Sequence, residues 1–172
     1  MYKNQIKKSM EALSLDKKVL FVGYGLKYGS CGGGILKDIP KDQIIETPVA
    51  ENLMLSMSIG LSLEGFKPVV VFERMDFLMN AMDALVNHLD KIPTISKKEF
   101  VPEVMVRCIV GGRKYPFFTG ITHIQDHTLG VSSMLTTMKC ESLLNSESIK
   151  IAYNEHKNGI FVEYKDLYNE NI

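Results

Sequence analysis

The sequence predicts an α/β domain, with a parallel sheet flanked by helices on both faces. Three observations lead there. The apolar runs "PVVVF" (68–72), "EVMVRCIV" (103–110) and "IFVEY" (160–164) lack the polar alternation of half-exposed strands, so both of their faces are buried. Stretches of helical period separate such runs. The length, 172 residues, suffices for one layered core of this kind.

Residues 2–13 form an amphipathic helix, with Ile6, Met10 and Leu13 on one side. "KVLFVGYG" (18–25) is a buried strand that stops at glycine, and "GSCGGG" (29–34) is a loop. "QIIETPV" is extended, because Pro48 disfavours helix at Thr47. A helix follows over 51–64, with Gly65 placed to cap it. From 75 to 90, Phe77, Leu78, Ala81, Met82, Leu85, Val86 and Leu89 keep a 3.6-residue period, which predicts one continuous helix. "MLTTMKC" (134–140) reads as a short strand, and "ESIKIAYNEHKNG" (147–159) as a helix closed by Gly159. In such sheets ligands lie beyond the carboxyl ends of the strands. Glu51, the 72–77 turn and the 111–127 loop all fall after strands and are candidates for that rim.

Composition excludes several classes. The formal net charge is zero, which removes the electrostatic case for nucleic acid or an anionic membrane. Cys31, Cys108 and Cys140 follow no metal or disulfide spacing and read as reduced thiols of a cytoplasmic protein. The charged start "MYKNQIKKSMEAL" is no signal peptide, and no run is long enough to span a membrane. His123 and His127 have a helical metal spacing but lack a third ligand cluster, so no metal site is assigned. "GSCGGG" lacks the lysine and hydroxyl of a phosphate-cradling loop.

The helix after Glu51 is apolar or small almost all round, which is the pattern of a fully buried helix. Either it is the central core helix of a monomer, or a second chain covers what its own sheet leaves open. Glu51 itself has two readings. An acid in the first helical turn is favoured by the helix dipole, by ~0.3–1 kcal/mol when exposed. A buried carboxylate at a subunit seam instead shares a proton with a ligand nitrogen.

The stretch "IIETPVAENLMLSMSIGLSLEGFKPVVVFERMDFLMNAMDALVNHLDKI" resembles the pyrimidine-binding domain of thiamine diphosphate enzymes, above all the β subunits of pyruvate and branched-chain 2-oxo acid dehydrogenases. Thr47, Pro48, Glu51, Gly65, Pro68, Asp76, Phe77, Ala81 and Asp83 carry the match. It continues through "VPEVMVRCIVGG", "THIQDH" and "IFVEYKDLY", so it covers nearly the whole chain. The resemblance implies the thiamine diphosphate-binding (pyrimidine-domain) fold, with residues 1–172 as a single pyrimidine-binding domain. It implies that Glu51 hydrogen-bonds N1′ of the cofactor's aminopyrimidine and promotes the tautomer whose N4′ accepts the thiazolium C2 proton. Phe77, 26 residues after Glu51, stacks on the pyrimidine in this reading, although it also belongs to the apolar stripe of its helix. Val49, Met75 and Phe72 would wall the pyrimidine pocket. His123, or His127 four residues on, would stabilise an oxyanion or relay protons near the substrate.

Three features depart from the family. "GYGLKYG" puts Tyr24 where some members carry an acid. The sequence stops where the family's C-terminal domain would begin. The Mg²⁺- and diphosphate-binding "G-D-G" motif with its downstream asparagine is absent. The expectation is therefore half a site. The chain is a β-like subunit in a homodimer or heterotetramer, and a separate diphosphate-binding subunit holds thiamine diphosphate through Mg²⁺. The reaction is cleavage or formation of a C–C bond next to the carbonyl of a small substrate, by 2-oxo acid decarboxylation or by ketol or aldehyde transfer. The alternative is a non-catalytic assembly or regulatory module that keeps the fold. A hydrolase built on His123 lacks a nucleophile constellation.

Overall fold

The computed structural model describes residues 1–28, 31–114 and 120–172. Its six strands are β1 (Val19–Gly23), β2 (Ile44–Glu46), β3 (Lys67–Phe72), β4 (Met105–Val110), β5 (Cys140–Leu143) and β6 (Gly159–Tyr164). Its α-helical segments are α1 (Tyr2–Leu13), α2 (Glu51–Leu63), α3 (Met75–Leu78), α4 (Ile92–Ile95), α5 (Thr128–Met134) and α6 (Ser146–Ala152). Every strand pair is parallel, in the order β2-β1-β3-β4-β6-β5. This is the expected all-parallel sheet covered on both faces.

Alternate residues of each strand feed two cores. Val69 and Val71 of β3, with Met105, Ile109 and Phe161, pack on one face against Tyr2, Ile6 and Met10 of α1 and Ile149 of α6. Val70 and Phe72, with Val106, Cys108, Ile160 and Val162, pack on the other face against α2, the 75–89 segment and Val131 of α5. That two-sided burial explains why the strand sequences show no alternation. The first core also holds a polar knot. Arg107 pairs bidentately with Glu163 at 2.6 and 2.8 Å, and the hydroxyls of Tyr153 and Tyr168 donate to the same carboxylate. A Cβ on Gly32 would lie 3.3 Å from the Arg107 guanidinium, and Gly32, Gly33 and Gly34 all have positive φ. Gly32 thus lets the backbone pack directly against a buried cation.

The order of connections creates two switch points. The chain leaves β1 for β2 on one side and returns through α2 to β3 on the other. It leaves β4 for the outer β5 and returns through α6 to β6 between them. Crevices form at the carboxyl ends of strands where the order reverses in this way.

Several boundaries differ from expectation. The 75–90 stretch is not one helix. It runs as α3, a 3₁₀ turn at Met79–Ala81 and a π-helical stretch at Asp83–Leu89. Ala81, Ala84, Leu85 and Leu89 still all reach the core, so the apolar pattern tolerates the change of pitch. The predicted strand at 134–140 is instead the end of α5 and a connector, because Thr136, Thr137 and Met138 spend their N–H groups on the Asp90 carboxylate. Strand β5 starts only at Cys140. Helix α6 starts one residue earlier than expected and ends at Ala152. Asn145 caps it reciprocally with Ser148. Gly159 opens β6 rather than closing that helix. The intervening residues cross the amino end of the sheet, where His156 Nε2 lies 2.9 Å from the Pro68 carbonyl and Asn158 accepts from Val104 N–H.

Gly65 does end α2, with φ 86°, and Phe66 and Gly65 donate back to Leu61 and Ser62. The helix is buried on one side only. Met54, Leu55, Ser58 and Ile59 face the sheet, whereas Leu53, Gly60 and Leu63 are exposed. Among the described residues, a Cβ on Gly60 would meet nothing within 4 Å, so none of them covers that point of the helix.

Candidate active site at the carboxyl ends of the strands

Strand β2 ends at Glu46, and its carboxylate accepts from the N–H groups of Gly25 and Lys27, fixing the loop after β1. Thr47 N–H still pairs with Gly23, so the chain stays extended through Pro48 before α2 begins. Glu51 is thereby the first residue of α2, at the β1/β3 switch point. The residue as a whole is 7% exposed, and its carboxylate oxygens are not among the buried side-chain atoms left without a partner, so they are not sealed in the core. Val49, two residues earlier, is 69% exposed beside the same helix start. Asn52, the next residue, accepts from Ala84 N–H at 3.2 Å and ties the first turn of α2 to the segment that carries Phe77.

Phe77 is half-buried and belongs to neither core cluster, so the expected place in the apolar stripe is not where it sits. Leu78 takes the buried position instead. The Phe77 ring meets His123 edge-on, with centroids 5.2 Å apart and planes at 85°. His123 Nδ1 is 3.0 Å from the Thr122 hydroxyl. Phe72 and Met75 are fully buried in the second core. They back the site from below and offer it no exposed wall. His127 donates its backbone N–H to the Met75 sulfur at 3.3 Å, while the His123 ring reaches Phe77. Of the six residues expected at the site, the structure joins Phe77, His123 and Met75 through direct contacts or one shared turn. Glu51 and Val49 stand on the neighbouring helix start, and Phe72 is set back in the core.

Three residues to which sequence reasoning gave no role at the site shape this corner. Asp76 accepts from the Gln125 amide at 2.8 Å. Gly111 is required where it stands, because a Cβ there would collide with the His123 carbonyl. Asp166 binds the N–H groups of Arg113 and Lys114 and holds the start of the 111–127 loop. Asp76, Gln125 and Gly111 lie inside the motif stretches, and their pairing across the fold is what a linear reading lacks. Residues 115–119 of that loop lie outside the described residues.

The second switch point carries an open cleft of about 260 Å³ between β4 and β6, lined by Gly111, Arg113, Asp126, Tyr164 and Lys165 among others. Burial, with Arg74 nearby, lowers the Lys165 ammonium pKa. Burial would raise Asp126, but the hydroxyl and N–H of Thr128 hold it below the ordinary carboxylate value. Burial raises the Tyr164 phenol, whose oxygen is 2.8 Å from Ser142 Oγ. The cleft mixes apolar and polar walls with both signs of charge, and the 120–127 loop contributes Ile124 and Asp126 to it.

No protein-family model matches the chain. Over 124 residues it is 30% identical to the β subunit of 3-methyl-2-oxobutanoate dehydrogenase from Mycobacterium tuberculosis, covering 69% of this chain and 33% of that one. Over 169 residues it is 27% identical to the pyruvate dehydrogenase E1 component subunit beta of Gracilaria tenuistipitata, covering 92% of this chain and 50% of that one. The chain is a homologue of 2-oxo acid dehydrogenase β subunits. It spans a third to a half of the length of these relatives. Among solved structures, a split-gene transketolase in an inactive β4 tetramer superposes with a TM-score of 0.63 at 15% identity, over 94% of this chain and 49% of that one. A candidate thiamin diphosphate-dependent enzyme from Mycobacterium smegmatis superposes with a TM-score of 0.59, over 92% of this chain and 30% of that one. This β-subunit homologue thus has the transketolase-like α/β fold.

Proposed function

We propose that the chain supplies the pyrimidine-binding half of a thiamine diphosphate site, completed by a separate subunit that holds the diphosphate and Mg²⁺. The observation that carries this reading is Glu51. It is an acid at a switch point, mostly buried as a residue, whose carboxylate oxygens are open to a ligand rather than sealed in the core. Such a carboxylate suits a ring nitrogen that can share its proton. The exposed Val49 and the half-exposed ring of Phe77 fit the faces of a flat heteroaromatic group. The sequence carries neither the lysine and hydroxyl of a phosphate-cradling loop nor the G-D-G motif, which supports placing the diphosphate on a partner.

Bound thiamine diphosphate supplies a nucleophilic carbon for attack on a carbonyl, and the protein supplies position and protons. Glu51 holds a proton at its carboxylate, facing the pyrimidine nitrogen. Met54 and Leu55 keep the ground behind it dry. Phe77 fixes the plane of the ring. His123, whose ring meets Phe77 edge-on, would exchange a proton with the substrate oxygen. The reaction class is C–C bond cleavage or formation next to the carbonyl of a small substrate. The uncovered side of α2 is where a second subunit packs.

Calorimetry tests the division of labour. Thiamine diphosphate with Mg²⁺ is titrated into the chain alone and into its complex with a diphosphate-binding subunit. Binding only in the complex supports the reading. Micromolar, Mg²⁺-dependent binding by the chain alone contradicts it.

A further inference from the structure

Residues 123–127 and 75–77 lie against each other in opposite directions, one contact per alternate residue. The His123 ring meets Phe77, the Gln125 amide donates to Asp76 Oδ1 at 2.8 Å, and His127 N–H donates to Met75 sulfur at 3.3 Å. A two-residue step on the loop is matched by a one-residue step on the turn. The two outer contacts are soft, being an edge-on ring pair and an N–H to a thioether. The middle one is a charge-assisted hydrogen bond, the strongest class of the three. Met75 is fully buried and cannot shift, so it anchors one end. Gly111 lets the His123 carbonyl close down at the other end. Between them, among the described residues, the Gln125 bond is the contact that bears most directly on how far along the turn the loop sits, and so on where the His123 ring lands.

We propose that Gln125 and Asp76 form a positioning latch that holds His123 edge-on to Phe77. This rests on the reading of His123 and Phe77 as members of the cofactor site. Gln125 is exposed and Asp76 half-exposed, so the bond adds little to overall stability and its consequence is geometric. Among the described residues, Asp76 Oδ2 is buried without a hydrogen-bond partner. The carboxylate therefore depends on Gln125 for its one side-chain bond, and losing the amide frees both ends of the latch.

The test uses the full chain, three variants and two readouts. The first readout is the imidazole proton resonance of His123, one of four histidines, assigned by His123→Gln. Its position reports the ring of Phe77. The second is kcat and KM in the reconstituted complex with thiamine diphosphate. Gln125→Ala is expected to move the His123 resonance to that of a free imidazole. It should lower kcat about tenfold at unchanged cofactor affinity, with little change in melting temperature. Gln125→Glu sets two carboxylates face to face. The native resonance should be lost at neutral pH and recovered in acid, where the pair takes up one proton. The exchanged pair Asp76→Asn with Gln125→Glu keeps the bond with donor and acceptor reversed, and should restore both resonance and kcat. An unmoved resonance in Gln125→Ala overturns the latch. So does a moved resonance with unchanged kcat. If the wild-type complex turns over no substrate, the functional reading fails, and the resonance readout still decides the latch.

Discussion

Asp90 is fully buried and collects six hydrogen bonds on its carboxylate. Oδ2 accepts from Lys91 Nζ at 2.6 Å, Thr136 N–H at 3.0 Å and the Thr136 hydroxyl at 2.8 Å. Oδ1 accepts from Thr137 N–H at 2.8 Å, the Thr137 hydroxyl at 2.9 Å and Met138 N–H at 2.9 Å. It thereby clamps the end of the segment that begins at Phe77 onto the connector before β5. Asp90→Asn preserves the shape and the Oδ1 bonds. It replaces Oδ2 by an NH₂ group facing three donors, of which the Thr136 hydroxyl alone can turn to accept. Two charge-assisted bonds are lost, at roughly 1.5–3 kcal/mol each, which gives an expected destabilisation of about 3–6 kcal/mol. For a chain of this size that lowers the melting temperature by roughly 6–24 °C. Burial alone would raise the Asp90 pKa, but Lys91 and the N–H groups of Met138 and Thr137 hold it well below the carboxylate range. The contribution is therefore complete above the unfolded-state value of ~3.9 and is lost as pH falls below it toward the folded-state value. Urea unfolding of wild type and Asp90→Asn from pH 7 to pH 2.5 measures both effects. The difference between the two should be full at pH 7 and shrink below about pH 4. A difference under about 1 kcal/mol at pH 7, or one that does not shrink in acid, refutes the clamp.

Phe77→Leu should cost under ~1.5 kcal/mol of stability, since the ring is half-exposed and outside both cores. It should weaken thiamine diphosphate binding in the complex by roughly 2–12-fold, the worth of an aromatic stack. Chemical denaturation and calorimetry give the two numbers, and unchanged affinity removes the stacking role. Burial lowers the His156 pKa while its Nε2 faces the Pro68 carbonyl. The fold therefore favours neutral His156, and stability present above the unfolded-state value of ~6.5 is lost as pH falls through the folded value. His156→Gln should flatten this loss between pH 7 and 5, and denaturation curves with the wild-type slope count against it.

The parallel sheet was legible because strands buried on both faces leave an unmistakable run such as "PVVVF", where each valine has a core to enter. The end of α2 was legible because its signal, Gly65, is local. The failures share a physical cause in contacts that cross the fold. The stretch 134–140 has the composition of a strand, yet Asp90, 46 to 48 residues away, claims its N–H groups. Nothing near Tyr153 announces that His156 will reach Pro68 and stop α6 early. The 75–90 period was read correctly as a buried face, but periodicity is blind to a change of pitch that keeps the same residues inside. At the site, spacing from Glu51 to Phe77 located two elements on one rim. Which faces of Phe72, Met75 and Phe77 are open depends on how the π-helical stretch and the 123–127 loop pack, and no local pattern holds that information.

The central claim is that Glu51 gives the site its proton. Glu51→Gln keeps the size and the helix start, so it should fold, with the cofactor still held through its diphosphate by the partner subunit. The measurement is hydrogen–deuterium exchange at C2 of thiamine diphosphate bound in the complex, wild type against Glu51→Gln. General acid–base assistance is typically worth ~10²–10⁴-fold, and the exchange rate should fall by that factor. If Glu51 serves only the dipole of α2, the variant changes stability by ~1 kcal/mol or less and exchanges at the wild-type rate. Equal rates would take Glu51 out of the mechanism and contradict the account.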